Sequence, residues 1–117
     1  IRMLNEIKNR NLSYILDTGQ FQGSPGASGK GCLDEIARPE LYDSIAKCAD
    51  LAGMVRAKFY LSKSSYENWL DYPRIINILK DVNFNGPLSI VYEPKGKIPS
   101  TEAVPIAVKY LTKLFEN

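Results

Sequence analysis

Two carboxylates and two basic residues carry the chemistry open to this sequence. Asp17 closes the apolar run over residues 12–16, and Glu93 closes the run over 88–92. Arg56 and Lys58 lie on a third run, residues 54–60, between them. The steps from Asp17 to Arg56 and from Arg56 to Glu93 are 39 and 37 residues, each close to one strand-plus-helix unit. Parallel α/β proteins build their sites at the carboxyl ends of the strands, so these groups would converge on one mouth. A carboxylate at the end of an apolar strand is costly to bury alone, and a divalent metal or an opposite charge would offset that cost. The plainer alternative is that Asp17 caps its own loop and Glu93 pairs with Arg56. Lys58 either reaches a substrate oxygen or pairs with an acid. Trp69 either walls a sugar ring or packs.

Absences narrow the chemistry further. The chain has no histidine, which excludes a Ser-His-Asp triad, a Cys-His pair and a histidine-rich zinc site within it. Its two cysteines, Cys32 and Cys48, are 16 residues apart and form no CxxC motif. They read as reduced thiols, with a single disulfide as the alternative. A net charge of +2 with both signs interspersed leaves no electrostatic footprint for nucleic acid. No apolar run is long enough for a membrane helix, and no leader pattern opens the chain, so the expected location is cytoplasmic. The glycine-rich stretch 23–31 fails the phosphate-loop pattern twice. Ser24 stands at the first glycine position and Gly31 at the Ser/Thr position. It reads as a flexible loop over the strand ends, able to act as a lid.

The elements that must position these groups alternate. With 117 residues, 44% hydrophobic and 24% charged, the chain suits one folded domain. Leu4 and Ile7 mark a helix that opens without a cap, so the chain reads as a piece of a longer polypeptide. A strand over 12–16 follows, then the long Gly/Ser/Pro loop, then a helix from Pro39 to Leu51 that ends at Gly53. The second strand covers 54–60. Asp71 caps a helix with Pro73 in its first turn and Ile75, Ile76, Leu79 and Val82 as its apolar stripe. A turn through Asn85-Gly86 leads to the third strand, 88–92, and the last helix runs from about Glu102 to Phe115 with Thr101 as its cap. Pro105 is tolerable there because its missing N–H falls in the first turn. The order α-β-α-β-α-β-α implies parallel strands with crossover helices, apolar on both faces.

Four stretches resemble one superfamily. Residues 14–21, YILDTGQF, are similar to the "LDTGNF" strand end of xylose isomerase-like proteins, a group of sugar and sugar-phosphate isomerases and epimerases and endonuclease IV-type enzymes. Residues 55–60, VRAKFY, resemble its "VHAKF" strand. Residues 70–76, LDYPRII, resemble the helix start that follows, and 86–93, GPLSIVYE, its final strand. The resemblance implies a (β/α)8 barrel of which this chain holds the C-terminal part of a single domain, three strands and four helices, with about five strands missing. It implies that Asp17 and Glu93 are ligands of a divalent metal (manganese, magnesium or zinc). It makes Glu93 also one member of a catalytic acid/base pair and lets Arg56 bind an anionic substrate group; with Lys58 and Trp69, read above from the residues alone, Arg56 completes the expected substrate-binding set.

Two departures bear on that expectation. Arg56 stands where the family has a ligand histidine, and a guanidinium has no lone pair to offer a metal. Gln20 stands where the endonuclease branch has another histidine. The implied activity is proton transfer between adjacent sugar carbons through an ene-diolate at the metal. The alternative is a pseudoenzyme that binds a sugar or a partner without metal. An independent nucleotide-binding domain is a third and weaker reading. The expected partners are a carbohydrate and, for the open strand edges, the remaining barrel or further copies of the chain, with no nucleic acid and no membrane.

Overall fold

The computed structural model describes Arg2, Glu6 and residues 12–21, 39–60, 69–94 and 98–117. Three parallel strands form one sheet: β1 (Tyr14–Asp17), β2 (Ala52–Phe59) and β3 (Leu88–Tyr92), in the order β1-β2-β3. Three helices follow them in turn: α1 (Pro39–Cys48), α2 (Tyr72–Asp81) and α3 (Ser100–Glu116). The chain is therefore α/β and built of βα units. Arg2 and Glu6 are both helical and share an ion pair of 2.8 Å, in line with the expected opening helix. The glycine-rich stretch 23–31, Cys32 and most of the loop before Trp69 lie outside the described residues.

Alternation along β2 sorts the sheet into two faces. Val55, Ala57 and Phe59 are buried and point to the helices, together with Leu16 of β1. The Phe59 ring stacks on Tyr72 of α2 with centroids 4.5 Å apart and meets Tyr110 of α3 edge-on at 6.5 Å. Those two ring contacts fasten both helices to the central strand. Arg56 and Lys58 take the alternate positions and the other face. Only one face of the sheet is apolar throughout, whereas the sequence suggested both. Ile15 on β1 is 47% exposed, and every residue of β3 is only half-buried.

Helix α2 starts as expected. The Asp71 carboxylate accepts from the Arg74 N–H at 3.1 Å, and Pro73 lies in the first turn, where it costs no hydrogen bond. Its Ile75, Ile76 and Leu79 are buried, and Val82 falls just past its end, half-buried. Asn83 then takes a left-handed φ of 54°, a conformation asparagine tolerates better than most residues.

Three boundaries differ from the sequence reading. Helix α1 stops at Cys48, and residues Ala49–Leu51 tighten into a 3-10 turn. Gly53 does not end that helix but lies in β2, where a Cβ would press into the Ser13 side chain. Helix α3 begins at Ser100 with Pro99 in the cap position, so Thr101 is helical and caps nothing. Pro105 thus sits inside the helix and leaves the Thr101 carbonyl without its usual partner. Both residues are exposed, so water can take that carbonyl.

Candidate functional site

Asp17, Arg56, Lys58 and Glu93 meet at the carboxyl end of the sheet, on the face away from the helices. Register explains how. Asp17 lies opposite Arg56 across the β1–β2 ladder, and Lys58 lies opposite Val91 across β2–β3. Glu93 is two residues beyond Val91, so it projects from the same face as Lys58. Its own N–H donates to the Phe59 carbonyl at 2.8 Å, which extends the ladder past the end of β3.

The four charges form two ion pairs. Arg56 Nη1 is 3.7 Å from Asp17 Oδ2, with the arginine side chain 44% exposed and the aspartate 14%. Asp17 Oδ1 accepts from the Gly19 N–H at 2.9 Å, so this carboxylate both caps its loop and faces a cation. Lys58 Nζ is ion-paired with Glu93 Oε1, and the lysine side chain is only 5% exposed. The plainer sequence reading paired Glu93 with Arg56. Strand register gives Arg56 to Asp17 and leaves Lys58 for Glu93. The other oxygen, Glu93 Oε2, is buried with no hydrogen-bond partner among the described residues.

The Lys58 stem is enclosed by its neighbours. A Cβ on Gly19 would overlap Lys58 Cγ and come within 2.7 Å of the Tyr60 hydroxyl, so only glycine fits there. Trp69 is half-buried with its ring tilted against Tyr60, centroids 5.9 Å apart.

Two residues that the motifs did not single out hold the Lys58 backbone from the helix-facing side of the sheet. Thr18 is fully buried and its hydroxyl accepts from the Lys58 N–H at 3.0 Å. Tyr72, also buried, donates to the Lys58 carbonyl at 2.5 Å, and the two hydroxyls are 3.1 Å apart. The available signal was alternation: Thr18 follows Leu16 by two, which puts a polar side chain on the core-facing side of β1 and demands a partner.

A cleft beside β1 is lined by Tyr14, Ile15, Asp17, Gln20, Phe21 and Cys48. Gln20 thus lies beside Asp17 in this cleft. The Tyr14 hydroxyl donates to the Cys48 carbonyl, and burial, then the neighbouring Cys48, raises its pKa above the ordinary tyrosine value. Cys48 itself is a free thiol.

The donor set does not suit a divalent cation. Each candidate ligand carboxylate already faces a fixed positive group, and Arg56 adds a charge that would repel the ion. No three residues of the Asp, Glu, Cys and His types gather as a metal site among the described residues. No described helix is long and apolar enough to cross a membrane. Neither protein-family models nor curated proteins match this sequence.

Proposed function

We propose that the chain is the C-terminal three-strand part of a (β/α)8 barrel of the xylose isomerase-like kind, acting on a sugar or sugar phosphate at its strand ends. The observation that carries this reading is the convergence of Asp17, Arg56, Lys58 and Glu93 from three adjacent parallel strands onto one end and one face of the sheet. Their types and order along the chain are those the resemblance implies, apart from Arg56.

In this reading Glu93 moves the proton. Its carboxylate takes a proton from the hydroxyl-bearing carbon next to a sugar carbonyl, whose oxygen takes up the electron pair as an enolate. That proton then returns to the former carbonyl carbon, while the neighbouring hydroxyl passes its own proton to the enolate oxygen and becomes the new carbonyl. Lys58 is ion-paired with Glu93 in a partly buried setting. Arg56, the exposed cation of the mouth, faces the enolate oxygen or an anionic group of the substrate. No step is assigned to a metal. A non-catalytic sugar-binding barrel is the second reading, favoured by the pairing of each carboxylate with a cation.

Incubation in D2O with a panel of ketoses, aldoses and their phosphates tests the pair of readings, using the full polypeptide that carries these residues. Deuterium incorporation that persists in chelator and disappears in Glu93→Gln supports the enzyme. Binding without incorporation supports the second reading, and absence of binding to the whole panel removes both. Tight calorimetric binding of manganese, magnesium or zinc, abolished by Asp17→Ala, would replace them with a metal-dependent enzyme.

The barrel reading also assigns neighbours to the open edges. Leu12 and Ile15 at β1, and Val108 and Phe115 beside β3, are large apolar side chains at least 39% exposed. A groove lined by Leu88, Ile90, Leu111 and Phe115 runs along the β3 edge. We assign these surfaces to the remaining barrel strands or to further copies of the chain. Light scattering on the isolated 117-residue chain should show self-association, and a dilute monomer with a sharp unfolding transition would overturn the partial-barrel assignment.

A further inference from the structure

The end of β1 creates a local problem that two hydroxyls solve. Asp17 is its last strand residue, and beyond it the Thr18 N–H still donates to the Arg56 carbonyl at 3.1 Å. Further along β2, the Lys58 N–H and carbonyl face the β1 side with no strand left to bond them. Residues on a strand direct both backbone groups the same way, and buried ones rarely go unpaired. Here the Lys58 N–H donates to Thr18 Oγ1 at 3.0 Å, and the Tyr72 hydroxyl donates to the Lys58 carbonyl at 2.5 Å. With the Tyr72 proton committed, the single Thr18 proton is shared between Tyr72 Oη, 3.1 Å away, and the Arg56 carbonyl at 3.4 Å. The result is that both backbone groups of Lys58 are held by a pair of hydroxyls in contact with each other: its N–H by Thr18 and its carbonyl by Tyr72. Gly19 closes on the lysine stem from the next position.

We propose that Thr18 and Tyr72 are positioning residues that hold the Lys58 backbone so that its ammonium stays on Glu93. The inference goes beyond the sugar reading and does not depend on it. Loss of either hydroxyl frees a buried backbone group and lets β2 shift at Lys58, so the lysine spends more time unpaired and exposed. A general loss of stability would instead expose all lysines alike.

Residue-resolved acylation of lysines, read by mass spectrometry on the folded full chain, separates these outcomes. In the unaltered protein the buried Lys58 should react slowly beside the exposed Lys47, Lys80 and Lys109. Thr18→Val and Tyr72→Phe should each raise the Lys58 rate by about tenfold or more while the three reference lysines keep theirs. Thr18→Ser, which keeps the hydroxyl, should restore slow labelling. Tyr72→Phe removes one oxygen and keeps the ring stack on Phe59, so it keeps the test open if Thr18→Val does not fold. An unchanged Lys58 rate in a folded variant, or a rise shared by all four lysines, would overturn the proposal.

Discussion

The β1–β2 and β2–β3 seams each end in an ion pair, and the two pairs differ in almost every other respect. Arg56 and Asp17 meet at 3.7 Å with the arginine side chain 44% exposed. Lys58 and Glu93 are in contact, with the lysine side chain 5% exposed. The first pair is long and open to water on its arginine side, so its attraction is weak and salt-screened, worth ~0–1 kcal/mol. The second has exchanged much of its hydration for its partner, so it is costly to break by halves. One cation therefore stays available for a ligand, while the other is tied to the carboxylate that would do chemistry.

The largest test of that contrast removes the buried cation. Lys58→Met should lower stability by about 3 kcal/mol or more, because it strands the Glu93 carboxylate, one of whose oxygens is already buried without a partner. Urea unfolding would read it as a shift of the midpoint at constant slope. Lys58→Met combined with Glu93→Leu should recover most of the loss, since an apolar pair leaves no orphan charge. If the single variant is harmless, the pair is no more embedded than Arg56–Asp17.

A smaller effect comes from the wedge beside the lysine. Gly19→Ala places a methyl against Lys58 Cγ and the Tyr60 hydroxyl, where the lysine stem lacks room to retreat. The expected loss is ~2 kcal/mol, within the range for overpacked sites. Combining Gly19→Ala with Lys58→Met should cost less than the sum of the two, because they act on the same contact. Full additivity in unfolding measurements would show that Gly19 serves its turn alone.

How far the sequence reaches can be judged from these same residues. The strands were legible because each apolar run stops at a charged or turn-forming residue, and α2 was legible because Asp71, Pro73 and the isoleucine spacing agree. The convergence of Asp17, Arg56, Lys58 and Glu93 also followed from strand order alone. The pairing did not. Arg56 and Lys58 are two apart, so alternation puts them on one face and leaves their partners open. Only register, with Asp17 opposite Arg56, decides it. The Thr18–Tyr72 contact joins residues 54 apart and has no local signature. Gly53 misled because a glycine after an apolar helix usually ends it, whereas this one makes room for Ser13 beside β2.

A third prediction concerns the helix that carries Tyr72. Asp71 caps α2 through the Arg74 N–H, and its own N–H donates to the Tyr42 hydroxyl of α1 at 2.8 Å. Asp71→Ala keeps the second bond and loses the first, so it should cost ~1 kcal/mol. Asp71→Asn or Asp71→Ser should lose only a few tenths of that value in thermal unfolding. A loss as large as that of Lys58→Met would mean that the cap, rather than the ion pair, governs the order of the strand ends.

The smallest expected effect on stability belongs to Arg56. Arg56→Met removes one partner of a long pair whose arginine side chain is 44% exposed, and Asp17 keeps the Gly19 N–H in its absence. The loss should be at most about 0.5 kcal/mol at low ionic strength. It should shrink further in about 1 M salt, where charges are screened over ~3 Å. Lys58→Met should keep most of its cost in that salt, because screening ions do not reach a buried pair. Urea midpoints for both variants at the two salt concentrations measure the contrast directly. Under the proposed function Arg56→Met should nonetheless weaken binding of a sugar phosphate about tenfold or more, since it removes the exposed positive charge of the mouth. A large, salt-insensitive loss of stability from Arg56→Met would place both pairs in the same environment. The division between a cation that holds the site and one that faces the ligand would then fall.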